Sequence, residues 1–214
     1  MCNALNRFDK STFHSFCDVL SARDADLAAV IKRYGYPPMW TRAASFPTLI
    51  QIILEQQVSL ASAKAAFSQL TKKMGVVTPV KFLKLSDEEL KACYFSRQKI
   101  IYAKELASAV TRGRLSFNKL KRLPVDEIRQ NLKTIKGIGD WTVDIYLLHA
   151  LRRTDVFPLG DLALVSSIKM VKQLSSATKE ELLKMGKRWK PYRSIATMLF
   201  WHYYIKKKNI KILH

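Results

Sequence analysis

Apolar residues recur along this chain three and four positions apart, and no stretch alternates at the two-residue period of a strand, Gly75-Val76-Val77 being too short to serve. The pattern predicts a succession of helices and an all-α fold. A helix starts behind Asp24 or Asp26, runs through Lys32 and ends at Gly35 and Pro37-Pro38. Phe46–Gln57 follows, with Pro47 in its first turn and Leu49, Ile50, Ile53 and Leu54 on one face; Ser59–Met74 comes almost without a gap. Lys81–Tyr94 holds a short apolar turn and a helix whose Ser86 and Glu89 make a capping-box pair, and a further helix runs from Phe95 through Val110. Val125–Lys133 begins just after Pro124. Later come Leu162–Leu174, a helix Lys179–Trp189 behind Ser176 or Thr178, and Tyr192–Lys206 opened by Pro191. Met1–Asp18 is mixed in polarity and reads as a loose helix or arm.

The centre of the chain is the stretch Leu132–Met170. Gly137-Ile138-Gly139 interrupts the apolar period before Ile138, Trp141, Ile145 and Leu148 resume it, which predicts helix, tight hairpin, helix. Two glycines around one apolar residue permit close approach, so the backbone N–H groups opening the second helix can meet an anion such as a nucleic-acid phosphate. Phe157-Pro158-Leu159-Gly160 then breaks the chain and sets Asp161 at the start of the next helix. Each piece also has a plainer use: a turn between helices, and an aspartate that only caps.

Charge is the unusual part of the composition. The 214 residues are 48% hydrophobic and 25% charged, ordinary for a globular chain, but Lys+Arg 37 against Asp+Glu 17 gives +20. Such a surplus favours a polyanionic partner, because cations near phosphates release condensed counterions. No segment has the roughly 18 apolar residues a bilayer span needs, and the start lacks the charged region and apolar core of a signal. The expected place is therefore the cytoplasm, or wherever the genome lies. Cys2, Cys17 and Cys93 are odd in number and widely spaced, against a disulfide framework or a zinc site. His14, His149, His202 and His214 are scattered without ligand spacing.

The run LKTIKGIGDWTVDIYLLHAL followed by DVFPLGDLAL resembles the helix-hairpin-helix DNA glycosylase superfamily, whose Gly-x-Gly hairpin is followed about twenty residues later by an aspartate. Trp141-Thr142 and Phe157-Pro158 are similar to the alkyl-base branch, the 3-methyladenine DNA glycosylase II group. DADLAAVIKRYGYPPMW, ILEQQVS, SRQKIIYAKELA and KRWKPYRSIATMLFWHYYI extend the likeness from about Asp24 to Ile205. One departure stands in it: relatives commonly have glycine where this chain has Tyr94.

The resemblance implies two helical lobes around a DNA-binding cleft, one of residues 45–159 with the hairpin, the other of 1–44 plus 160–214, in a single compact unit. It implies Asp161 as the catalytic carboxylate, and Trp141 and Tyr192 as the aromatic faces of a base pocket. Gln57 would be the side chain that fills the hole left by an extruded base, with Gln56 beside it. Ser59, Gly137, Ile138, Gly139 and Thr142 complete the expected DNA-binding set. Relatives that also cut the strand place a lysine two residues after the second glycine, where this chain has Trp141, so water is the expected nucleophile. No cofactor or metal is implied, cluster-bearing relatives having C-terminal cysteines that this chain lacks. The expected partner is double-stranded DNA containing damaged bases, met by a monomer. Arg97, Lys99 and Lys104 are candidates for phosphate contacts, and Trp189, Phe200 and Trp201 are expected in the core.

Overall fold

The computed structural model describes residues 7–210, so Cys2, Lys211, His214 and the first part of the expected N-terminal arm lie outside the described residues. Within them the chain forms α1 (Phe13–Arg23), α2 (Ala25–Tyr34), α3 (Phe46–Glu55), α4 (Leu60–Met74), α5 (Pro79–Leu83), α6 (Asp87–Ala92) and α7 (Arg97–Thr111). There follow α8 (Phe117–Leu120), α9 (Val125–Lys133), α10 (Asp140–His149), α11 (Leu162–Val171), α12 (Lys179–Gly186) and α13 (Arg193–Lys207). No strand occurs among the described residues; Arg7 and Arg153 make an isolated antiparallel bridge.

Helix starts follow local chemistry. Asp24, Ser59, Thr78, Ser86, Ser96, Ser116, Asp161 and Thr178 each accept a first-turn N–H on the side-chain oxygen, replacing a partner the helix itself cannot supply. Ser86 with Glu89 and Thr178 with Glu181 complete reciprocal capping boxes, the second choosing Thr178 over Ser176. Tyr94 has φ 64, a left-handed backbone that glycine adopts without steric cost. The turn is thus kept by a tyrosine that carries the strain and stays exposed.

Several boundaries differ from the apolar period. The expected Lys179–Trp189 helix is an α-helix only to Gly186, Lys187–Trp189 tightening to a 3-10 turn. The expected Phe46–Gln57 helix stops at Glu55, because Gln56 turns extended and Gln57 left-handed at φ 56. The expected Leu162–Leu174 helix ends at Val171, where Lys172 leaves the coil with its ammonium on Asp24 and Asp26. The mixed N-terminal segment becomes a defined α1 with Phe13, Cys17 and Leu20 buried, ahead of which Phe8 is buried as well. α8 was not foreseen; four residues are too few to show a period.

The chain divides into two compact units, residues 42–146 and residues 1–41 with 147–214. In the first, α3 supplies the core with Phe46, Leu49, Ile50, Ile53 and Leu54, packed on α4 and α7, while α5 and α6 lie on α7. Phe46, Phe82 and Phe95 interlock there at centroid distances of 5.9 and 6.0 Å. In the second, α13 is the axis, with Ile195, Met198, Leu199 and Phe200 fully buried among α1, α2 and α11. Residues 147–159 fall with the termini and not with the hairpin lobe as expected. Their main chain is bonded there, Phe8 N–H to Arg152 O at 3.0 Å and Ser194 N–H to Thr154 O at 2.9 Å.

Candidate active site

In the 42–146 unit the two glycines of the hairpin are not equivalent. Gly137 has φ +89, and a Cβ there would stand 2.0 Å from the Tyr102 ring. The fold itself therefore requires glycine. At Gly139 nothing lies within 4 Å of where a Cβ would be, and the residue is exposed. Its carbonyl accepts the Val143 N–H at 3.1 Å, which makes it the cap residue of α10 and brings no side-chain oxygen to the first-turn N–H groups. An opening of this kind suits an anion from outside. Asp140, whose carboxylate would oppose an anion there, is paired with Lys133 at 2.9 and 3.0 Å and with Arg129 at 3.7 Å.

Ile138 and Thr142 are buried, at 4% and 2% exposure, so their side chains support the hairpin from within. Any DNA contact from them is left to the main chain. Gln56 Nε2 donates to Gly137 O at 3.0 Å and to Thr142 Oγ1 at 2.9 Å. Gln57 and Ser59 are exposed, Ser59 capping α4 through Ser62 N–H at 3.1 Å. Trp141 is half-buried in the first turn of α10. Of the three candidate phosphate contacts on α7, Lys99 donates to Leu54 O at 2.6 Å and Lys104 pairs with Asp87, so both serve the unit; burial pulls the Lys99 pKa down. Arg97 is exposed.

In the other unit Asp161 is the cap of α11, half-buried and in extended backbone. Its Oδ1 accepts Leu164 N–H at 2.8 Å and the indole Nε1–H of Trp201 at 2.9 Å. Trp201 lies parallel to His149, centroids 5.5 Å apart, and His149 Nδ1 is 2.7 Å from Trp40 O. The carboxylate is thus aimed by a tryptophan that is itself held. Leu162, next after Asp161, is 85% exposed. Tyr192 is half-buried, stacked on Phe16 with centroids 4.3 Å apart, and the Arg23 guanidinium lies over its ring 6.0 Å from the centroid, so the ring is already engaged within its own unit. Trp189 and Phe200 are fully buried and Trp201 nearly so, as expected of core aromatics. Cys17 and Cys93 are free thiols; burial pushes Cys17 up to about 12, which leaves it inert.

Sequence reasoning missed Tyr102, the ring that makes Gly137 obligatory, and Trp201 as the donor to Asp161. Neither leaves a local signal, since each partner is remote in sequence.

Residues 50–191 match the family described as HhH-GPD superfamily base excision DNA repair protein. DNA-3-methyladenine glycosylase 1 of Schizosaccharomyces pombe is 30% identical over 190 residues, covering 85% of this chain and 83% of that protein. DNA-3-methyladenine glycosylase of Bacillus subtilis is 30% identical over 169 residues, covering 73% of this chain. The chain spans 64% and 56% of the length of its two Bacillus subtilis relatives. Among solved structures, the 3-methyladenine DNA glycosylase of Schizosaccharomyces pombe in complex with abasic DNA superposes with a TM-score of 0.82 at 27% identity, over 94% of this chain and 100% of that one. DNA-3-methyladenine glycosidase from Bacillus halodurans gives 0.75 at 28% identity, over 91% of each.

Proposed function

The chain belongs to the HhH-GPD superfamily of base excision DNA repair proteins, and from that premise we propose that it is a DNA glycosylase hydrolysing the N-glycosidic bond of alkylated purines. 3-methyladenine is the foremost substrate and 7-methylguanine the second. The observation that carries this reading is Asp161, a carboxylate held on one oxygen by a main-chain N–H and an indole N–H. Both donors fix the direction in which the carboxylate faces.

The chemistry follows from the bond. As C1′–N breaks, positive charge grows on the sugar, and a pre-aimed carboxylate stabilises that transition state more than the ground state. Water adds its oxygen to C1′, loses one proton and leaves an abasic site, while the bonding pair departs with the base. Asp161 supplies the field and can take the proton. Trp141 stands where a strand-cutting relative would have a lysine; with no amine at that position no imine forms, and the enzyme leaves the strand intact. An alkylated purine is cationic, which weakens its bond to the sugar and draws it to aromatic faces. The half-buried Trp141 offers such a face in its own unit, Tyr192 remains the second aromatic candidate by resemblance, and Gln57 suits the vacancy the base leaves in the stack.

Chromatography of bases released from methylated duplex DNA tests the reading. The expected products are 3-methyladenine and then 7-methylguanine, ahead of hypoxanthine, uracil and 8-oxoguanine. Uracil or 8-oxoguanine as preferred product overturns the substrate class. Borohydride trapping of a DNA–protein adduct overturns the choice of water. No release of any base leaves only a binding module.

A further inference from the structure

The loop carrying Gln57 is held unusually firmly. Lys99 Nζ bonds Leu54 O at 2.6 Å, Arg42 grips Glu55 at 2.6 and 3.2 Å, and Gln56 Nε2 bonds both Gly137 O and Thr142 Oγ1. Three consecutive residues are thus each tied to a different part of the 42–146 unit. The next residue is released: Gln57 is exposed at φ 56, and Val58 and Leu60 beyond it are 45% and 55% exposed. The direction of the Gln56 amide is settled by its partner, because Gly137 O can only accept and must face the nitrogen. With that donor spent inside the protein, Gln56 is poorly suited to be a DNA contact of its own. Gly137 in turn packs so closely on Tyr102 that no side chain fits there.

We infer that Gln56 is a positioning residue that couples the intercalating loop to the phosphate-binding hairpin, so that Gln57 and Gly139 meet DNA as one rigid piece. The inference rests on the glycosylase reading for its purpose, though the tie itself is geometric. A side chain that holds a stack open must resist being pushed back as the base tries to return. A loop anchored only to its own helix end would move; one bonded to the hairpin is braced against the strand the hairpin grips. Docking the hairpin on a phosphate then also sets the depth and register of Gln57.

The full-length chain with Gln56→Ala, Thr142→Val and Thr142→Ser provides the test. Base release is followed in single turnover from duplexes whose methylated purine is either paired or opposite a position lacking a base, where extrusion is easier. Gln56→Ala is expected to be about tenfold slower on the paired lesion, shrinking to about threefold on the unopposed one, as befits loss of two neutral hydrogen bonds. Thr142→Val should show part of this and Thr142→Ser should restore it. Hydrogen exchange read on residues 56–60 should quicken in Gln56→Ala while α13 stays as slow as in the parent. Equal slowing on both duplexes overturns the inference, and so does unchanged exchange at 56–60. If the parent protein releases no base from either duplex the glycosylase reading fails instead, and exchange alone judges the tie.

Discussion

Asp24 and Asp161 each stand in extended backbone ahead of a helix, each accept first-turn N–H groups on Oδ1, and each accept the indole N–H of a tryptophan, Trp189 at 2.8 Å and Trp201 at 2.9 Å. Asp24 is the more deeply buried of the two and holds a cation. Asp24 is 4% exposed, and the Lys172 ammonium lies 2.5 and 2.7 Å from its two oxygens, with Asp26 sharing the cation at 2.8 Å. Burial alone would raise the Asp24 pKa, but bonds from Lys172 and Trp189 and the charge of Lys172 outweigh it, and the carboxyl lies below its ordinary value. Asp161 is half-buried, and Leu164 N–H and Trp201 Nε1–H set its direction. One motif therefore serves two settings. A buried carboxylate on a fixed cation joins α2 to the residues after α11, while a half-buried one aimed by a cap N–H and an indole is the one proposed to face the charge that develops on the sugar.

The sharpest way to break the comparison is Asp161→Asn. Asparagine still caps α11 and still accepts from Trp201, so thermal stability and duplex affinity should stay close to the parent while single-turnover excision falls by about a thousandfold, as when a key electrostatic group is lost. Near-parental excision would leave Asp161 a cap and nothing more. Asp24→Asn should do the reverse. It strands a buried ammonium with Asp26 as its remaining partner, costing about 3 kcal/mol in urea unfolding with little change in excision per folded molecule.

Acid sharpens the same point. A carboxyl whose folded pKa is depressed contributes stability that is present above the unfolded value of about 4 and lost as pH falls through the folded value. Stability measured from pH 5 downward should therefore fall less steeply in Asp24→Asn than in the parent. An equal slope in both proteins would remove Lys172–Asp24 as a source of acid sensitivity.

The two tryptophans make a smaller contrast. Trp201→Phe keeps a ring against His149 but loses the donor to Asp161; kcat should drop about tenfold with KM little moved, the usual scale for a hydrogen bond to a charged group. Trp189→Phe should lower the melting temperature and spare kcat, since its bond goes to Asp24. If both lost only stability, the aiming role of Trp201 would fall.

The smallest effect is expected at the second glycine of the hairpin. Gly139→Ala meets open space, so folding should be untouched and duplex affinity should weaken by about fivefold, through obstruction of the phosphate alone. Gly137→Ala would strike Tyr102 at a left-handed backbone and lose stability first, so its melting temperature should fall where that of Gly139→Ala does not. Undiminished affinity in Gly139→Ala would make the hairpin a structural turn.

How much of this was legible beforehand depends on how far apart the partners lie. A cap joins residues three apart, so Ser86 with Glu89, Thr178 with Glu181 and Asp161 with Leu164 are written in adjacent letters, and the sequence by itself determined the helices and the place of the carboxylate. It also determined the Gly-x-Gly hairpin and the surplus of cations, because turn chemistry and charge need no neighbour to be recognised. The tertiary structure alone decided the rest. Trp201 reaches Asp161 across 40 residues, Gln56 reaches Gly137 across 81 and Trp189 reaches Asp24 across 165. Two tryptophans near the C-terminus are alike as letters, and only packing delivers one beside Lys172 and the other onto His149. Likewise Gly137 and Gly139 look interchangeable until Tyr102 closes over the first and leaves the second open.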